Sequence, residues 1–175
     1  YEKKNKKKIL RRKNLPTGMV LEKLLKDYAI GSATYVIRKE SLKSLNYQFD
    51  NHFHIIGDFD MNIRLAAKWK VNCVQAPVAF MRIHGKNDSI LNKDLEVDEL
   101  KIWCNKMKKN PTFSLNGLHQ IKKRYLYLET IESILNDKFN KSVFRVLKYP
   151  TSFKKLKLVT ALFLPKFLLK KIKNY

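Results

Sequence analysis

Apolar residues recur every three or four positions along most of the chain, a spacing that predicts helices. The clearest helical segments are 95–109 and 118–135, and shorter ones are predicted at 19–28, 40–45, 58–69, 141–147 and 153–172, the last interrupted by Pro165. Three β-type runs, at 33–38, 71–74 and 78–83, predict short strands instead. The pattern therefore predicts an α/β middle and a helical region from about Lys93 onward.

These elements divide the chain into three predicted parts: 1–18 as a basic arm or loop, 19–92 as an α/β part, and 93–175 as a helical subdomain with a basic amphipathic tail. A chain of 175 residues is long enough for one domain with a real core and short for two. No run approaches the roughly 18 consecutive apolar residues of a membrane span. We expect Cys73 and Cys104 to be reduced thiols.

Charge is the unusual part of the composition. Lys and Arg number 37 against 15 Asp and Glu, a formal net charge of +22. A surface this basic predicts an anionic partner. Nucleic acid, an anionic membrane and a nucleotide diphosphate all remain open on charge alone.

Asp58 is the strongest candidate for chemistry. It follows Ile55-Ile56-Gly57 and stands where a helix is predicted to begin. One interpretation is an N-cap, with Asp60 adding favourable charge in the first turn. The other is a carboxylate at the floor of a cleft that accepts a proton from a sugar hydroxyl. The two roles are compatible.

Three blocks of sequence resemble the family-2 glycosyltransferases. Residues 55–66 (IIGDFDMNIRLA) are similar to the family segment in which Glu-Asp, an aromatic residue and an acidic residue precede a helix ending in Arg-Leu-Ala. Residues 30–39 (IGSATYVIRK) resemble its strand that ends in basic residues, and Phe49-Asp50 its Phe-Asp pair. Residues 81–89 (MRIHGKNDS) resemble its Tyr-Arg-Ile-His-Gly-x-Asn-x-Ser loop. The blocks agree in order and spacing, and they cover about 20–90.

This resemblance implies an incomplete GT-A (Rossmann-like) α/β unit with few short strands, followed by a helical subdomain. It implies inverting transfer from a nucleotide-diphosphate sugar to a glycan or lipid-linked acceptor, with Asp58 as the catalytic base. His84 matches the family histidine that reaches a divalent metal (Mn or Mg) or the diphosphate. The remaining predicted substrate-binding residues are Gly31, Ser32, Asp60, Arg82 and Lys86.

Ordinary roles stay open for these residues. Gly31 and Ser32 suit a simple turn, Arg82 and Lys86 suit solvated loop cations, and His84 suits a surface loop.

The sequence also departs from the family. Gly57 stands where the family has Glu, so a neighbouring carboxylate is missing. The family's N-terminal half, with its nucleotide-binding sheet and Asp-x-Asp motif, has no counterpart, because Asp58-Phe59-Asp60 occupies the base position. We therefore predict a partial chain that alone neither binds a sugar nucleotide nor turns over.

The tail carries a second signal, since no acidic residue occurs from Lys138 to Tyr175 while lysines alternate with Leu and Phe. That composition predicts an interfacial helix on an anionic membrane, and a helix packed on the core with a solvated lysine face is the alternative. We expect a cytoplasmic protein, with peripheral attachment to the inner face of the membrane.

Two other functions compete with glycosyl transfer. A nucleic-acid-binding protein fits the charge, and Tyr125 and Tyr127 beside basic residues could stack bases. No nucleic-acid-binding module is recognisable, so nucleic acid is the less favoured partner. A non-catalytic membrane-associated scaffold fits the tail and the missing half equally well.

Overall fold

Helices carry most of the regular structure in the computed structural model, which describes residues 2–3, 6–7, 14–80, 87, 91–136, 138–165 and 169. The α-helices of these ranges lie close to the predicted segments. They are α1 (Leu21–Lys26), α2 (Lys39–Lys43), α3 (Gly57–Ala66), α4 (Lys93–Met107), α5 (Leu115–Leu135), α6 (Phe139–Lys148) and α7 (Phe153–Phe163).

The predicted α/β, Rossmann-like fold is wrong. In the described ranges, paired strands are limited to the two-residue hairpin Glu2–Lys3 with Lys6–Lys7 and an isolated bridge between Gly18 and Val71. The predicted strand at 33–38 overlaps a 3-10 turn, Ser32–Thr34, and no strand forms at 71–74 or 78–80. β-type side chains favour extended backbone, but a strand needs a neighbour to complete its hydrogen bonds. In the described residues the single pairing of these runs is the bridge between Gly18 and Val71, so no sheet forms there.

The chain divides into two compact units, Tyr1–Leu118 and His119–Tyr175, and the division falls inside α5. In the first unit, α3 is buried on almost every side, as expected of a helix at the centre of a core. A row of aromatic rings in edge-to-face contact runs through this core, with centroid distances of 5.0, 5.1 and 5.6 Å. In order, the row is Tyr28, Phe59, Trp103 and Phe113. It fixes α3 against α4.

The second unit is built on α6 and α7, which pack against each other. Its core contains Val146, Tyr149 and Leu158. Ser152 caps α7 by accepting a hydrogen bond from the backbone N–H of Lys155. α7 ends at Phe163, because Leu164 takes the extended conformation favoured by a residue before proline.

Two sequence expectations concern the membrane and the cysteines. Among the helices of the described ranges, none is both long and apolar enough to cross a bilayer. Cys73 and Cys104, both of them described, are not joined by a disulfide.

Candidate functional site

A buried carboxylate from α4 holds the backbone that leads into α3. Glu99 accepts hydrogen bonds from the backbone N–H groups of His54 (2.7 Å), Ile55 (2.9 Å) and Ile56 (2.9 Å). These donors precede the helix and would otherwise need another acceptor. Glu99 therefore fixes the position at which α3 begins, and with it the position of Asp58.

Asp60 is an internal anchor of α3. Its side chain is 0% exposed, and one carboxylate oxygen accepts two hydrogen bonds from the Arg64 guanidinium, at 2.9 and 2.7 Å. The other oxygen accepts the indole N–H of Trp103 at 2.9 Å. Buried carboxylates require such charged and hydrogen-bonded partners. The geometry gives Asp60 a structural role, and its predicted contact with substrate stays a prediction.

Arg64 extends this anchor to the loop before α3. Its guanidinium donates to the backbone carbonyls of Tyr47 (2.6 Å) and Gln48 (2.7 Å). The same group lies 4.1 Å from the centroid of the Tyr47 ring, a cation–π contact. Asp60 and Arg64 together tie the loop, α3 and α4 into one rigid base.

Asp58, two residues before Asp60, is in a different environment. Its side chain is only partly buried, and its Oδ1 accepts the backbone N–H of Phe59 at 2.7 Å. It lies in the first turn of α3, where the helix dipole stabilises negative charge. A carboxylate that solvent reaches is, in its ionised form, able to accept a proton from a bound hydroxyl.

Tyr35 faces Asp58. Burial raises the pKa of the Tyr35 phenol, and the negative charge of Asp58 raises it further. A negative charge nearby disfavours the ionised, negatively charged form of a phenol. Tyr35 follows directly on the 3-10 turn that begins at Ser32, and Gly31 and Ser32 are both exposed there. The substrate-binding roles of Gly31 and Ser32 stay predictions.

The other predicted residues do not enter this geometry. Arg82, His84 and Lys86 lie outside the described residues, so their roles in binding diphosphate or metal stay predictions. Within the described ranges, no three His, Cys, Asp or Glu side chains come together as a metal site. The divalent metal that the resemblance implies therefore stays a prediction.

A second ionic cluster supports the same loop from α4. Asp50 accepts a hydrogen bond from Lys106 Nζ, and its Oδ1 lies 2.7 Å from His52 Nδ1. The hydrogen bond from Lys106 is the main reason that the pKa of Asp50 lies well below its usual range. The ammonium of Lys106 also lies 4.9 Å from the centroid of the Tyr47 ring. Asp50, half of the predicted Phe-Asp pair, is thus bound to α4.

Sequence reasoning missed Glu99, Trp103 and Tyr35. Glu99 and Trp103 act from more than 40 residues downstream of their partners, and nothing local marks them. Tyr35 lies inside the block 30–39, and the resemblance of that block to the family could have pointed to it.

Comparison with known proteins adds no further assignment, because no protein-family model, no curated protein and no solved structure matches this chain. Function must be argued from the residues and their geometry.

Proposed function

We propose that this chain is the acceptor-side part of an inverting, family-2-type glycosyltransferase and that Asp58 is its general base. The observation that carries the proposal is the contrast between two carboxylates two residues apart. Asp60 is sealed in the core with Arg64 and Trp103, whereas Asp58 is partly exposed. The motif thereby supplies one carboxylate to the fold and leaves the other at a surface that substrate can reach.

In the proposed reaction, the oxygen of the acceptor hydroxyl forms a bond to the anomeric carbon of the donor sugar. The bond from that carbon to the nucleotide diphosphate breaks, and the diphosphate leaves with the electron pair. The hydroxyl proton passes to the carboxylate of Asp58. Attack from the face opposite the leaving group inverts the anomeric carbon. General-base assistance of this kind contributes roughly 10²–10⁴-fold to the rate.

The supporting residues have positioning roles in this scheme. Glu99 fixes the start of α3, and the Asp60–Arg64 pair prevents the helix from shifting relative to the loop at Tyr47. Rigid support matters because a displacement of about 1 Å costs about 10²-fold in rate. A nucleotide-sugar donor would place the reaction in the cytoplasm, with the acceptor a glycan or a lipid-linked sugar.

The proposal is tested by the release of nucleoside diphosphate from a panel of UDP-, GDP- and dTDP-sugars with Mn²⁺ or Mg²⁺ and a panel of saccharide and lipid-linked acceptors. The longest gene product that contains this sequence is compared with the present chain. Asp58→Asn should lower kcat at least 100-fold and leave KM nearly unchanged. Asp98→Asn is the matched control, because Asp98 is exposed on α4 and should have no effect.

Two results would overturn the proposal. One is a folded Asp58→Asn variant that retains more than a tenth of the wild-type rate. The other is the absence of diphosphate release from every donor by the longest gene product.

The geometry at Tyr127, in the second unit, does not favour base stacking. Tyr127, a stacking candidate by sequence, packs edge-on against Tyr149 with ring centroids 6.2 Å apart. Burial raises the pKa of its phenol, and Lys154 lies 5.7 Å from the centroid of its ring. A ring engaged in this way offers little free face to a nucleobase.

A further inference from the structure

Helix α7 is apolar on two opposite sides. One side faces the core of the second unit, where Leu158 and Ala161 are buried. The other side carries exposed apolar side chains, which we call the outer face. It consists of Phe153 (72% exposed), Leu156 (58%), Val159 (37%) and Phe163 (79%).

The outer face is continuous along the helix. At 100° per residue its four side chains fall within an arc of about 120°, nearly opposite to the midpoint between Leu158 and Ala161. Packing within the second unit therefore accounts for the inner side of α7 only. The helix α6 also carries exposed apolar side chains, Phe144 and Leu147. An exposed apolar stripe like the outer face of α7 marks an interaction site.

The charge around the outer face is of one sign. From Lys138 to Tyr175 the sequence contains ten lysines and one arginine but no aspartate or glutamate. Lys157 lies at the edge of the outer face, with its ammonium 5.1 Å from the centroid of the Phe153 ring. Lysine stems can lie along an apolar surface while their charges reach a polar, anionic layer. An apolar stripe flanked by cations is the pattern of a helix that lies in a membrane interface.

We propose that the outer face of α7 docks on a bilayer that contains anionic lipid, with the helix lying in the plane of the interface. A second copy of this chain fits less well, because a chain with a net charge of +22 would bring like charges together at a symmetric contact. Nucleic acid would satisfy the lysines and leave the exposed Phe and Leu side chains in water. This inference stands independently of glycosyl transfer.

The test is flotation of the full chain with vesicles of phosphatidylcholine alone and of phosphatidylcholine with 30% phosphatidylglycerol, at several salt concentrations. Binding should require the anionic lipid and weaken as salt rises. The double variant Leu156→Ser/Phe163→Ser should lower the partition coefficient at least tenfold. The matched control is Val36→Ser/Leu115→Ser, which removes two exposed apolar side chains elsewhere and should bind like wild type.

A gain-of-function variant separates docking from damage to the fold. Thr160 is exposed on the same side of α7, between Leu156 and Phe163. Thr160→Leu should strengthen vesicle binding about threefold or more, which loss of structure cannot do. Lys157→Gln should lower binding to anionic vesicles about fivefold, compared with Lys70→Gln in the first unit.

Several results would overturn the inference. They are no binding to anionic vesicles, equal binding to neutral ones, binding unchanged in Leu156→Ser/Phe163→Ser, and equal loss in the matched controls. The same variants can instead be tested for self-association by analytical ultracentrifugation and for binding to duplex DNA. If they abolish one of these while the wild-type chain does not bind vesicles, the outer face serves that partner and not a membrane.

Discussion

Replacing Asp60 by Asn should destabilise the first unit far more than the same replacement at Asp58. In Asp60→Asn the amide nitrogen can no longer accept a hydrogen bond, and the Arg64 guanidinium, with a side chain only 12% exposed, loses its counter-charge. Breaking one side of a buried ion pair typically costs about 3–5 kcal/mol. Arg64 keeps the carbonyls of Tyr47 and Gln48, so we expect a loss of about 3 kcal/mol, at the lower end of that range.

Asp58→Asn should cost about 1 kcal/mol or less. Its side chain is partly exposed, and the substitution removes a favourable charge in the first turn of α3 and weakens one local hydrogen bond. The two substitutions are chemically identical and two residues apart. The difference between them therefore measures the environment of each carboxylate.

The assay is urea unfolding followed by tryptophan fluorescence. Both tryptophans, Trp69 and Trp103, belong to the first unit, and Trp103 is buried beside Asp60. With a slope of about 1.5 kcal/mol per M, Asp60→Asn should lower the urea midpoint by about 2 M. A midpoint within about 0.5 M of wild type, or the same shift in both variants, would refute the structural role assigned to Asp60.

Two further predictions concern the other carboxylates at α4. Asp50→Asn should lower the free energy of unfolding by about 1 kcal/mol at pH 7. Because the pKa of Asp50 is depressed in the folded state, this contribution is present above the unfolded pKa of about 3.9 and is lost as pH falls below it. Urea midpoints of variant and wild type should converge towards pH 2, and a gap independent of pH would contradict the assignment. Glu99→Gln should cost about 2 kcal/mol, because an amide replaces an acceptor of three backbone N–H groups, whereas Asp98→Asn should change the midpoint little.

The sequence predicted the helices well because helical signals are local. The 3.6-residue spacing of apolar positions located both ends of α3 to α6 and the start of α7 to within a few residues. Pro165 indicated where α7 could not continue. The strand predictions failed because strand pairing is not local. The run at Val71 has suitable side chains, but a strand exists only where another strand meets it, and the bridge to Gly18 is its single pairing in the described residues.

By itself, the sequence determined the basic charge, the order of the helices and Asp58 as the residue of interest. Only the tertiary structure decided which of Asp58 and Asp60 is buried, since the indole of Trp103 that completes the Asp60 site comes from 43 residues away. Likewise, composition marked the tail as amphipathic, and packing selected Leu158 for the core while leaving Leu156 outside. Burial is a property of the assembled neighbours, and local spacing cannot encode which apolar side finds them.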